Sequence, residues 1–182
     1  MKRLGLFICL VLSIATSCSN DEVENVYSNY RAFFNYTKVM TAHPLYVALT
    51  GTGEYCSIYI QGNNLYFQSL TETYPDNLTA YDYYKQVTWI GGLIVGRSNV
   101  PDMTTGELPL LCFDRACPNC YKEASIAKAL VLQENGMATC NRCKRTYDLN
   151  NLGLISSGEK GIKLFRYLIS YNGTNTLLVN NR

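Results

Sequence analysis

The sequence is poor in histidine, in net charge of either sign and in long apolar segments. His43 is the only histidine among the 182 residues, which excludes any site that needs two imidazole ligands. Two of the 16 basic residues lie within residues 1–17, so residues 18–182 hold 14 basic and 14 acidic residues. A chain without a basic excess is unsuited to nucleic acid, because phosphate binding requires one. After residue 15, no apolar segment is long enough to span a bilayer.

The first residues of the chain have the pattern of an export signal. Two basic residues precede an apolar segment, residues 4–15, that is too short to span a membrane but long enough for a signal peptide. It leads into Ala15-Thr16-Ser17-Cys18, which resembles the signal of a bacterial lipoprotein. That resemblance implies a signal peptide at residues 1–17 and a membrane anchor through lipid on Cys18. An ordinary secretory signal, cleaved near the same place, is the alternative.

Residues 18–29 are rich in acidic and polar side chains. They include Asp21, Glu22 and Glu24. This stretch resembles the acidic tether that directs some Bacteroidetes-type lipoproteins to the cell surface, and a plain solvated linker is the alternative. The predicted location is the bacterial cell envelope, on the outer membrane, facing either the periplasm or the exterior.

Residues 30–182 are predicted to form a single all-β domain. The apolar segments are short, rich in β-branched and aromatic residues, and bounded by Gly, Asn or Pro, and none has the period of a long amphipathic helix. Three pairs of strands flank turn residues and are predicted as hairpins: 56–60 with 65–68, 129–133 with 137–139, and 162–170 with 176–179. Single strands are predicted at 31–39, 45–49, 108–113 and, bent at Gly91-Gly92, at 87–95. Residues 71–84 are predicted as a loop.

Two Cys-x-x-Cys pairs are the strongest chemical signal in the chain. They are Cys117 with Cys120 and Cys140 with Cys143, and nineteen residues separate the pairs. This interval is typical of a zinc site, in which four thiolates surround the ion as a tetrahedron. Because the predicted compartment is oxidising, disulfides among these cysteines are the competing interpretation. Five nearby cations could offset the charge of four thiolates: Arg115, Lys122, Arg142, Lys144 and Arg145.

Three further residues could contribute to a site. Cys56 and Cys112 lie in predicted strands, and burial as small apolar side chains is favoured over a disulfide between them. His43 precedes a proline and has no carboxylate or cysteine partner evident in the sequence, so we predict a surface or turn position for it.

Residues 110–179 resemble a Rieske domain, the iron–sulfur module of quinol-oxidising complexes and ring-hydroxylating oxygenases. The shared order is a strand ending in Cys-Phe-Asp-Arg-Ala-Cys-Pro, a hairpin, a second ligand loop and then Arg145-Thr146-Tyr147-Asp148. The resemblance implies three stacked antiparallel sheets, with the metal loops of residues 112–150 projecting as a subdomain. A Rieske centre has two cysteine and two histidine ligands. The histidine positions fall here at Asp114 or Asn119 and at Cys143, so the set has become all-cysteine.

The favoured function is a non-enzymatic, lipid-anchored envelope protein with structural zinc at the four cysteines and an unidentified protein partner. The sequence has no constellation of acid–base or nucleophilic groups. The alternatives are an electron carrier with a [2Fe–2S] cluster or one iron at the same cysteines, and a metal-free module held by disulfides. A thiol–disulfide exchanger is disfavoured because neither pair clearly precedes a predicted helix.

Overall fold

Antiparallel strands dominate the computed structural model, which describes residues 26–78 and 87–181. The strands form one sheet of eight and one sheet of four, so the predicted all-β class is confirmed. The signal peptide, Cys18 and the acidic residues of the predicted tether lie outside the described residues. No helix within the described ranges is both long and apolar enough to cross a membrane.

The large sheet contains strands from both ends of the domain. In spatial order it consists of β1 (Phe33–Tyr36), β12 (Leu177–Asn180), β11 (Arg166–Tyr171), β6 (Leu110–Asp114), β5 (Leu93–Arg97), β2 (Tyr55–Gln61), β3 (Asn64–Gln68) and β4 (Thr73–Asn77). Strand β11 pairs with β12 on one side and with β6 on the other. Because β11 joins the strands on its two sides into one sheet, the structure has two antiparallel sheets rather than the three that the Rieske resemblance implies.

The small sheet carries the cysteine loops. It consists, in spatial order, of β10 (Leu154–Ser157), β9 (Thr146–Asp148), β8 (Met137–Cys140) and β7 (Leu130–Gln133). Helix α2 (Pro118–Ala124) precedes it along the chain, directly after the strand β6 that leads in from the large sheet. The metal loops therefore form a layer of their own beside the main sheet, as the projecting subdomain was expected to do.

Each face of the large sheet covers a separate core. Strands alternate their side chains between faces, and in β5 Leu93 and Val95 enter one core while Ile94 enters the other. The first core lies between the sheet and helix α1 (His43–Thr50). The second core lies between the sheet and the cysteine loops, and Cys117, Cys120 and Cys140 belong to it. The cysteine group is thus part of a packed interior.

All three predicted hairpins are confirmed. Strands β2 and β3 pair around Gly62-Asn63, β7 and β8 pair around a 3₁₀ turn at Glu134–Gly136, and β11 pairs with β12. The strand predicted over 108–113 is β6. The bent strand predicted over residues 87–95 is confirmed only after the glycines: β5 begins directly after Gly92, whose φ is +109°, and before them Thr88 forms only an isolated bridge with Phe33. Positive φ is accessible to glycine at little cost, which explains the residue at this position.

The strand predicted over residues 45–49 is wrong, because these residues form helix α1. Pro44 fits the first turn of a helix, where no backbone N–H is required. Leu45, Ala48 and Leu49 follow at helical spacing, and all three are buried against the first core. A short apolar run is compatible with a strand or with a helix. Here packing against the large sheet favours the helix. His43, the first helical residue, is exposed as predicted, and its Nδ1 lies 2.6 Å from Glu72 Oε2.

The loop predicted over residues 71–84 is wrong for its first half, since Thr73–Asn77 forms strand β4. Residues 79–84 lie outside the described ranges. Pro75 argued against a strand because it has no N–H to donate. In the structure β4 is the last strand of its sheet, where a missing donor leaves no neighbour unpaired.

Cys56 and Cys112 are buried and unbridged, as favoured from the sequence. The strand register explains why the alternative disulfide is wrong. Val95 on β5 pairs with Cys56 on one side and with Cys112 on the other, so a whole strand separates the two thiols. Two strand spacings amount to about 9.6 Å, which exceeds the Cα separation that a disulfide can span.

Candidate metal centre

The four cysteines of the two Cys-x-x-Cys pairs converge on one point. Their sulfur atoms all lie within 4.8 Å of one another. Cys117 Sγ is 3.6 Å from Cys143 Sγ, and Cys120 Sγ is 3.7 Å from Cys140 Sγ. We call Cys117, Cys120, Cys140 and Cys143 the four-cysteine group. They are positioned to bind a metal ion.

The sulfur–sulfur distances match a tetrahedron around a single ion. Zinc–thiolate bonds of about 2.3 Å imply a tetrahedron edge of about 3.8 Å. The separations of 3.6 and 3.7 Å each join one cysteine of the first pair to one of the second. They are also far longer than the bond of about 2.05 Å in a disulfide. The four cysteines are therefore unbridged in the structure and close enough together to share one metal ion.

The first pair is held at the start of a helix. Cys117 is the N-cap of α2, Pro118 follows at the first helical position, and Cys120 lies one turn further on. The Tyr121 N–H donates to the Cys117 carbonyl oxygen at 3.0 Å, which closes that turn. The expectation that neither pair precedes a helix is thus wrong for this pair. The signal was present in Pro118, since proline favours the first helical position.

The second pair is held by a tight turn after β8. The Lys144 N–H donates to the Cys140 carbonyl oxygen at 2.9 Å, and the Cys140 N–H donates to the Arg145 carbonyl oxygen at 3.0 Å. Lys144 has a φ of +61°, in the left-handed region where glycine is usual. The backbone thus adopts the shape that a metal-binding knuckle requires even though the residue after the second cysteine is not glycine. The sequence did not predict this turn, because lysine and not glycine follows the second cysteine.

Arg145 is the cation that contacts the four-cysteine group. Its side chain is only 4% exposed and lies close enough to the Cys143 thiol to interact with it electrostatically. On its other side the guanidinium lies 3.3 Å from Glu123 and 3.2 Å from Glu159. Of the other predicted cations, Lys122, Arg142 and Lys144 are exposed, and the Arg115 guanidinium lies over the Tyr59 ring. Arg145 supplies a positive charge where thiolates would accumulate negative charge.

The thiols of the group differ in acidity. Burial raises the pKa of Cys117 and of Cys120, and in Cys120 the neighbouring thiols raise it further. Burial also acts to raise the pKa of Cys143, but hydrogen bonds from the Arg145 backbone and side chain outweigh it and lower that pKa to about 7. Four thiolates crowded together repel one another. Four thiolates at this spacing would therefore need a bound cation to offset their negative charge.

A polar network that the sequence did not reveal supports the first pair. Tyr147 is fully buried, and its Oη lies 3.3 Å from Cys117 Sγ. Asn119 Nδ2 donates to this phenol oxygen at 2.8 Å, which leaves the phenol proton for the sulfur. Asn119 Oδ1 in turn accepts a hydrogen bond from the Ile162 N–H at 3.0 Å. A Cβ on Gly161 would collide with the Asn119 amide, so only glycine allows the two segments to approach this closely.

Neither Asp114 nor Asn119, the residues at the first histidine position of the Rieske pattern, belongs to the group of potential ligands. Asp114 is fully buried, and its carboxylate accepts hydrogen bonds from three backbone N–H groups and from Tyr167 Oη. Asn119 faces Tyr147 and the backbone of Ile162. Both residues organise the loops around the cysteines. The candidate ligand set consists of thiols alone.

Replacing Tyr147 with phenylalanine should leave the metal bound but weaken the fold. The change removes the phenol contact to Cys117 and the acceptor of Asn119, while all four sulfurs remain. Loss of this buried hydrogen bonding should destabilise the protein by about 1–2 kcal/mol. Urea unfolding combined with metal analysis measures both effects. A variant that loses its metal would show that the phenol is needed to retain the ion.

No protein-family model matches the chain, and no curated protein matches it significantly.

Proposed function

We propose that this chain is a non-enzymatic, lipid-anchored protein of the bacterial cell envelope, with a structural zinc ion at the four-cysteine group. The observation that carries the zinc proposal is the convergence of all four sulfurs within 4.8 Å, with separations of 3.6 and 3.7 Å between the pairs. A closed set of four thiolates is a common structural zinc site and leaves no open position for a substrate. The lipid anchor rests on the resemblance of Ala15–Cys18 to a lipoprotein signal.

The position of the group in the fold supports a structural role. The helix start at Cys117 and the turn at Cys140 are separated along the chain by strands β7 and β8. One ion held by both pairs would fix helix α2 against the small sheet. Three of the four cysteines lie in the core between the sheets, where an ion would neutralise their charge. Structural zinc contributes directly to folding free energy in this way.

The same tetrahedron would also accept one iron ion, and the Rieske-like order of strands and loops favours such an electron carrier as the second candidate. Cys143 is the only partly exposed member of the group, which gives an electron partner one point of approach. A [2Fe–2S] cluster fits less well, because it distributes its thiolates over two irons and so requires wider separations between opposite sulfurs. The two metals differ in colour, since zinc is redox-inert and has no visible absorption.

Metal analysis and an absorption spectrum on one sample test the proposal. Protein prepared without oxygen should contain about one zinc per chain and be colourless. One iron per chain with a visible charge-transfer spectrum would replace zinc by the electron-transfer candidate. Protein that contains neither metal and has no free thiols would contradict both the zinc and the iron candidates. It would support the alternative of a metal-free module held by disulfides.

Replacing Cys18 with serine tests the anchor independently of the metal. The variant lacks the thiol to which lipid would be attached, so it should move from the membrane fraction to the soluble fraction, and its labelling by a fatty-acid analogue should be lost. Ser17→Ala is the matched control and should remain in the membrane fraction. If Cys18→Ser stays with the membrane, the lipoprotein assignment is wrong, whatever metal the domain holds.

A further inference from the structure

A cavity of about 320 Å³ lies between the large sheet and the strand β7 of the small sheet. Ser57, Gln68 and Leu70 line it on one side, Leu130 and Leu132 on the other, and Arg115 between them. A volume of this order is at the lower end for small-molecule sites, which combine apolar walls with a few polar groups. The cavity is separate from the four-cysteine group and has no part in the proposed metal site.

Among the residues that the structure describes, Arg115 is the only charged one that lines this cavity. Its Nε is buried and has no hydrogen-bond acceptor in the described part of the chain. No acidic side chain of residues 26–78 and 87–181 forms an ion pair with it. A buried guanidinium nitrogen without an acceptor is costly and calls for an explanation. Arg166 also has an unpaired Nε, but it does not line this cavity.

The orientation of Arg115 is fixed by an aromatic stack. Its guanidinium carbon lies 4.1 Å from the centre of the Tyr59 ring, and the Tyr59 ring itself stacks on that of Tyr66, with 5.4 Å between the ring centres. A guanidinium held over a ring has fewer orientations to lose when it binds a planar anion such as a carboxylate.

Gln68 adds a second donor. Its Oε1 accepts a hydrogen bond from Tyr59 Oη at 3.2 Å, which leaves the amide nitrogen as the group it can offer to a ligand. Tyr59 thus fixes both polar side chains, because its ring supports Arg115 and its hydroxyl orients Gln68. The leucines of the walls provide an apolar surface beside these donors.

We propose that this cavity binds a small organic carboxylate with an apolar tail. The carboxylate would accept hydrogen bonds from the Arg115 guanidinium and from the Gln68 amide, and the tail would lie between Leu70 and the leucines of β7. Phosphate has the charge but lacks the apolar part, and an alcohol has the apolar part but lacks the charge. The cavity selects for molecules that have both.

Calorimetric titration of the full-length, metal-loaded protein in detergent tests this proposal with three probes: hexanoate, inorganic phosphate and hexan-1-ol. Hexanoate should bind once per chain, and each of the other two at least about tenfold more weakly. Arg115→Met and Gln68→Glu should each weaken hexanoate binding by about tenfold or more, the first by removing the donor and the second by adding a like charge. Lys128→Gln is the control for loss of one positive charge, because Lys128 is exposed and does not line the cavity.

Gln68→Glu keeps the test decisive if Arg115→Met is poorly folded, since Gln68 is only partly buried and the two side chains have nearly the same shape. Unchanged metal content and unfolding temperature show that a variant is folded. The proposal is overturned if hexanoate produces no binding heat, if folded Gln68→Glu binds it as well as the native chain does, or if phosphate binds as tightly as hexanoate.

Discussion

Replacing Cys140 with serine should remove the metal and unfold the small sheet while the large sheet survives. Cys140 is fully buried, and its sulfur lies 3.7 Å from that of Cys120, so the change removes one of four candidate ligands from the interior. Metal content should fall from about one ion per chain to near zero, because four-thiolate sites rarely tolerate a hydroxyl ligand. Loss of the proposed structural zinc would also remove folding free energy, since zinc in small domains contributes roughly 10–16 kcal/mol of apparent binding free energy.

The division of the protein into two cores predicts which strands lose their structure when Cys140 is replaced. Three cysteines of the group belong to the core between the sheets, and none belongs to the core beneath α1. Amide-exchange protection should therefore be lost in β7–β9 and retained in β2 and β3. Treating the native chain with a chelator should give the same pattern, which separates metal loss from the effect of the serine itself.

Cys56→Ala is the matched control for this experiment. Cys56 is also fully buried, but it lies in the other core and outside the four-cysteine group. The variant should keep its metal and lose only about 1–2 kcal/mol through the small cavity it creates. If Cys140→Ser retains a full complement of metal and native exchange protection, the metal centre is wrong.

The sequence predicts the parts of the fold that depend on local chemistry. Asn-Gly and Gly-Asn turns between β-branched runs locate the hairpins, because these residues accept the backbone angles that tight turns require. The spacing of Cys117, Cys120, Cys140 and Cys143 identifies the candidate ligands, since two-residue gaps can direct paired sulfurs at one point. Both inferences need only neighbouring residues.

The parts that were missed depend on distant partners. Residues 45–49 are apolar enough for a strand or a helix, and the surface of the large sheet selects the helix. Residues 73–77 become a strand because β3 offers them a free edge. Asn119 and Tyr147 lie 28 residues apart, and only the folded chain shows that they hydrogen-bond beside Cys117. Tertiary context of this kind leaves no local pattern.

Asp114 shows how a residue without a metal-binding role can control the loops that carry the ligands. Its carboxylate accepts hydrogen bonds from the backbone N–H groups of Ile90, Gly91 and Ala116 at 2.8, 3.0 and 2.7 Å. Tyr167 Oη adds a fourth at 3.1 Å. One buried side chain thus joins the bend before β5, strand β11 and the residue that precedes Cys117.

Replacing Asp114 with alanine should cost roughly 3–5 kcal/mol of unfolding free energy, because it leaves three backbone donors and one phenol without an acceptor in the interior. Metal retention should weaken as well, since Ala116 loses the contact that positions the first cysteine pair. Asp102→Ala is the matched control. Asp102 also accepts backbone hydrogen bonds, from Thr104 and Thr105, but in an exposed turn where water can replace it. Urea unfolding of the two variants compares the sites directly, and equal, small shifts in midpoint would show that the Asp114 network does not hold the cysteine loops in place.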